Sequence, residues 1–167
     1  SGVIVNYLQA FFFYIFGVNW ASYVLHASIF NCIVSLATYF LLREFGLKIY
    51  YCFLYSLLFS LLGYTSSGTP FVDHHSTFFC LLAVYSLLFS IKNEKNIFWI
   101  LIPIFLGFAF LSKQVPAFYI FLILSIIIII YLFTLKKIDP LKSILLGIIL
   151  FIFFLILLIF FGGIKFE

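Results

Sequence analysis

The sequence predicts an all-α membrane protein, a polytopic bundle of about six transmembrane helices with a short interfacial helix ahead of them. Three observations carry this. Hydrophobic residues fill 66% of the 167 positions and charged residues only 8%, where a soluble domain carries charge on about a quarter of its residues. Apolar runs near the length of a bilayer span, about 20 residues, follow one another with short polar breaks. The charges fall in those breaks rather than along amphipathic faces. Such a chain cannot cover itself with polar groups in water. Residues 1–167 therefore read as one transmembrane domain with no separate soluble domain.

Residues 3–16 (VIVNYLQAFFFYIF) are apolar but interrupted by Asn6 and Gln9. A helix of that length covers about 21 Å, too short to span, so it reads as interfacial. The first span is about 20–42, with Trp20 and Tyr23 suited to an interface and Arg43-Glu44 as its stop. Ala21, Ser28, Asn31, Ser35 and Thr38 recur along one of its faces, a pattern that marks helix contacts in lipid. The second span is about 49–64. A polar stretch, 65–77, leads into the third, about 75–91, closed by Lys92-Asn93-Glu94-Lys95. The fourth is about 97–111, with a kink expected at Pro103. Ser112-Lys113-Gln114 interrupts the run, and Pro116 suits the first turn of the fifth span, about 117–135. The sixth is about 143–161, after Asp139-Pro140.

Alternating spans put Arg43, Lys48, Lys92, Lys95, Lys136, Lys137 and Lys142 on one side and only Lys113 and Lys165 on the other. The positive-inside rule makes the first side cytoplasmic. The 65–77 loop and Lys113 then face the periplasm or a lumen, and a bacterial inner membrane is the expected location. The net charge of +4 is scattered, so no nucleic-acid partner is expected. Cys32, Cys52 and Cys80 lie inside apolar runs without metal-site spacing and read as packing residues. The chain has no Met and begins in mid-pattern, so it reads as an internal piece of a longer membrane protein.

Polar groups at membrane level are expensive unless used or paired. That singles out Asp73, His74, His75, Lys113 and Gln114 as candidate substrate-binding residues. On an extended loop Asp73 and His75 would share a side and could hold a divalent cation with ligands from elsewhere. Asp73 equally suits the N-cap of the third span, and the histidines suit interfacial placement. Lys113 reads either as a snorkelling cation or as a partner for a phosphate. Gln114 could donate to a sugar hydroxyl or fill the turn. For His26, inside the first span, a hydrogen bond within the bundle is the expected role.

Three stretches resemble a known family in order, spacing and sidedness. The first is VIVNYLQAFFFYIFGVNWASYVLHASIFNCIVSLATYFLLREFG. The second is GTPFVDHHSTFFCLLAVYSLL, and the third is LGFAFLSKQVPAFYIFLI. Together they resemble the membrane half of type C glycosyltransferases, the dolichyl-phosphate-mannose protein mannosyltransferase and aminoarabinose transferase-like superfamily. The resemblance implies inverting transfer of a sugar from a polyprenyl-phosphate donor to a lipid, glycan or protein acceptor. It also implies a general base in a first outer loop, expected ahead of Ser1, so the piece alone is expected to be inactive. Asp73 would line the same cavity and bind donor, acceptor or a divalent cation. Lys113 would neutralise the departing lipid phosphate. The Asp-His-His-Ser string is not a general family signature, and Gln114 stands where many relatives have Gly. A transporter or flippase, or a non-catalytic membrane scaffold, are the competing readings. The charge-poor spans and the absence of an internal repeat speak against the transporter.

Overall fold

The computed structural model describes residues 2–63, 70–135 and 138–162, with side chains to 160. Seven α-helices fill these residues: α1 Val3–Phe16, α2 Trp20–Glu44, α3 Ile49–Gly63, α4 Val72–Asn93, α5 Asn96–Ser112, α6 Gln114–Leu135 and α7 Asp139–Gly162. Four of them, α2, α4, α6 and α7, are long and apolar enough to cross a membrane, while α1, α3 and α5 are shorter apolar helices. At 1.5 Å per residue, the 15 residues of α3 rise about 22 Å, less than the roughly 30 Å hydrocarbon layer. The loop residues 65–69, together with Tyr64, Lys136, Lys137 and Lys165, lie outside the described residues.

Local chemistry sets the helix ends. Asn19 caps α2: its Oδ1 accepts the Ser22 N–H at 2.8 Å, and the Ser22 hydroxyl reaches back to form a capping box. Gly17 turns the chain between α1 and α2 at φ 79°, a region open to glycine at little cost. At the other end of α2, Gly46 adopts φ 85° and the Leu47 N–H returns to the Leu42 carbonyl at 3.2 Å. That is a Schellman ending. α4 begins three residues earlier than the expected 75, because its hydrogen-bonded turn starts from the Phe71 carbonyl. α7 likewise begins at Asp139, with Pro140 in the first turn, where its missing N–H costs nothing.

α4 lies at the centre, packed on α5, α2 and α6; α3 packs on α2, α7 on α5, and α1 on α2 and α5. One core gathers Ile4 and Val5 of α1, Phe79 and Cys80 of α4, Ala109 of α5 and Ala117 of α6. A second holds Leu87, Trp99, Ile102 and Leu106. Of the small-residue stripe on α2, Asn31 donates to the Ser60 carbonyl of α3 at 2.8 Å and Thr38 meets the Tyr85 hydroxyl of α4 at 3.0 Å. Ser35 is buried, but Ala21 and Ser28 are exposed, so the contact face is the lower half of the stripe. Pro103 sits inside α5. A Cβ on Gly147 of α7 would collide with the Ile100 carbonyl and the Pro103 ring, so this glycine sets how closely α7 approaches that turn.

The helices alternate in direction, and the ends sort accordingly. Lys92 at the end of α4 lies 5.1 Å over the Phe45 ring at the end of α2. The residues around 43–48, 92–96 and 139–142 thus form one end of the bundle. The opposite end holds the α1–α2 corner, the first turn of α4 and the α5–α6 junction.

Candidate functional site

The first turn of α4 organises that opposite end. Successive helical residues point about 100° apart, so Asp73, His75 and Ser76 leave the turn in three directions. The N-cap position is Phe71, in extended backbone and without a side-chain cap bond. Asp73 is therefore not the cap. It sits within the first turn, where the helix dipole favours a negative charge, and its carboxylate pairs with the Lys113 ammonium. Lys113 is the single extended residue between α5 and α6. The two side chains keep 60% and 44% of their exposure, so the pair contributes under about 1 kcal/mol in water. It stays open to exchange with a ligand, because an ammonium has three donors and a carboxylate several acceptor positions.

Ser76 points to α5. Its hydroxyl lies 3.0 Å from the Lys113 carbonyl and 3.2 Å from that of Ala109, which also accepts the Lys113 N–H at 2.9 Å. One buried hydroxyl thus fixes the backbone of the residue whose side chain Asp73 holds.

His75 points inward and is fully buried. Its Nε2 lies 3.1 Å from Nε2 of His26, itself fully buried in α2. His75 Nδ1 lies 3.0 Å from the Phe71 carbonyl, and His26 Nδ1 lies 2.8 Å from the Gln9 side chain of α1. Phe12 stacks on the His26 ring at 4.9 Å and Phe30 meets His75 at 4.6 Å. The bundle bond expected for His26 is present.

Two site expectations change. Asp73 and His75 do not converge: on a helix they point about 200° apart, one to the surface and one to the core. Among the described residues no group of three or more His, Cys, Asp or Glu is placed to hold a metal, and Asp73 and His75 face no common point. His75 is buried in this arrangement and presents no surface at the rim. His74 is half-buried, its ring 6.1 Å from that of Phe71. Gln114 opens α6, exposed beside Lys113, at the rim of an apolar groove of about 560 Å³ lined with Phe110, Val115, Phe118 and Tyr119. A second apolar groove, about 340 Å³, runs between α4 and α6 past Thr77, Leu81, Val84, Pro116 and Tyr119. The sequence reading missed Gln9 as a site residue. The signal was there: Val5, Gln9 and Phe12 share one helical face, and that face is the buried one.

The profile of the dolichyl-phosphate-mannose-protein mannosyltransferase family matches residues 1–160. Neither the curated proteins nor the solved structures give a match. The chain belongs to that family of membrane glycosyltransferases of the type C class.

Proposed function

We propose that this family member transfers a sugar from a polyprenyl-phosphate donor to a hydroxyl acceptor, at the end of the bundle that carries Asp73 and Lys113. The observation that supports this reading most is the half-exposed ion pair between those two residues, formed where the first turn of α4 meets the α5–α6 junction. The donor is a phosphodiester with one negative charge. Lys113 receives that phosphate, and its charge offsets the second one that develops as the lipid phosphate leaves. Asp73, released from Lys113, accepts hydrogen bonds from hydroxyls of the donor sugar or of the acceptor. Gln114 lies beside Lys113 and donates to a sugar oxygen. The two apolar grooves that meet at Tyr119 give the isoprenoid chain a surface directly below the phosphate. Both roles are binding and charge compensation; neither residue is assigned as general base.

The site end faces the periplasm or lumen in this reading. Arg43, Lys48, Lys92, Lys95 and Lys142 gather at the opposite end, and the positive-inside rule supports placing them in the cytoplasm. The test is transfer by the full-length protein in membranes, with a panel of polyprenyl-phosphate sugars and radiolabelled product. The expected result is transfer from at least one donor, reduced about a hundredfold by Lys113→Ala. Wild-type rates in both Lys113→Ala and Asp73→Ala would overturn the assignment.

A further inference from the structure

The buried chain from Gln9 through His26 to His75 has a direction, and hydrogen-bond bookkeeping assigns it. With the Gln9 Oε1 facing His26 Nδ1 at 2.8 Å, that nitrogen must donate, because an amide oxygen only accepts. A neutral His26 then has only a lone pair at Nε2, so His75 Nε2 must donate across the 3.1 Å contact. His75 Nδ1 must also donate, because its partner at 3.0 Å is the Phe71 carbonyl. His75 would carry two protons, a cation buried in an apolar bundle, while Gln9 Nε2 would have no partner among the described residues. Both outcomes are costly. Turning the Gln9 amide by half a turn removes both. The Gln9 N–H then donates to His26 Nδ1, the His26 Nε2–H to His75 Nε2, and the His75 Nδ1–H to the Phe71 carbonyl. Both imidazoles are neutral, and only a carbonyl oxygen, the cheaper group to leave unmatched, lacks a partner.

We propose that Gln9, His26 and His75 form a one-way hydrogen-bond relay that positions the first turn of α4, and with it Asp73, against Lys113. The proposal rests on the catalytic reading of that ion pair. The relay ends on the Phe71 carbonyl, which also accepts the His75 backbone N–H at 3.1 Å. It therefore grips the turn from the α2 side while Ser76 grips it from the α5 side. Asp73, between the two grips, has its direction fixed. The ionisable neighbours are few. α4 brings His74 and Asp73, and the α5–α6 junction brings Lys113. Tyr7 and Tyr14 are the titratable residues of α1. On α2, Tyr23 lies near His26, and Arg43 and Glu44 lie at the far end.

Gln9→Glu tests the direction with almost no change of shape. A carboxylate only accepts, so it forces the proton-carrying arrangement. Transfer by the full-length Gln9→Glu protein is expected to fall as pH rises and that proton is lost, over a range where wild-type activity is level. His26→Phe keeps a flat ring but breaks the relay, and kcat/KM is expected to fall about tenfold or more. His26→Gln can accept from Gln9 and donate to His75, and is expected to recover to within about threefold of wild type. Nitrogen NMR of histidine-labelled protein should show His26 as the Nε2–H tautomer and His75 as the Nδ1–H tautomer. The proposal is overturned by a His75 imidazolium, by reversed tautomers, or by wild-type kcat/KM in a folded His26→Phe protein. If His26→Phe fails to accumulate, Gln9→Glu with a wild-type pH profile overturns it instead. If wild-type protein transfers no sugar, the catalytic reading fails, and the tautomers still decide the relay.

Discussion

The first turn of α4 and the outward faces of α6 and α7 are built by opposite rules. Half of the most apolar window of α4 is buried, against 6% for α6 and 11% for α7. Yet α4 carries the polar residues: His75, Ser76, Ser86 and Ser90 are all buried, and Ser76, Ser86 and Ser90 each donate to a backbone carbonyl. α6 has only Ala117 and Leu124 buried and turns Ile123, Ile126, Ile129 and Ile130 outward. In lipid the outside costs apolar residues nothing, so polarity concentrates where partners exist. A buried polar residue here therefore specifies a contact, and an exposed Ile specifies only the solvent.

Breaking the polar side should do the most damage. Swapping the ion pair, Asp73→Lys with Lys113→Asp, preserves the attraction but moves the cation off the α5–α6 junction. Transfer is expected to stay about a hundredfold down; recovery to wild-type rate in the same assay would make the pair structural. Next comes Ser76→Ala. It strips the hydroxyl from the carbonyls of Ala109 and Lys113 and should destabilise the bundle by about 1–3 kcal/mol, read as the midpoint of unfolding in detergent. Gly147→Ala, on the apolar side, tests whether close approach matters there as well. The added Cβ must push α7 from the Ile100 carbonyl, at about 1–3 kcal/mol by the same measurement. The smallest effect is expected at Ile130→Val on the outward face of α6, within about 0.5 kcal/mol of wild type. A large loss there would mean that this face is covered by protein rather than lipid.

The fold was legible because apolar runs and their punctuation are local. Arg43 with Glu44, and the Lys92–Lys95 cluster, mark the ends of helices to within a few residues. The start of α4 lies earlier than the polar stretch 65–77 suggests, because the helix opens on the Phe71 backbone and leaves the Asp73 carboxylate to Lys113. Asp73 and Lys113 could each be singled out as polar groups at membrane level, and sidedness put them at the same end. Their pairing, across forty residues of chain, needed the packing of α4 on α5. The partnership of His26 with His75 was out of reach for the same reason. No periodicity connects residues on two helices; only the approach of α2 to α4 does.

The junction at Lys113 leaves no slack. A single residue separates the last turn of α5 from the first of α6, so the two antiparallel helices form a hairpin of fixed register. Adding one residue to the end of α5 would carry the junction about 100° around that helix and about 1.5 Å along it. Gln114 and Tyr119 would swing off the grooves they border, and Lys113 would leave the reach of Asp73. At this point the chain reads length as strictly as it reads side chains.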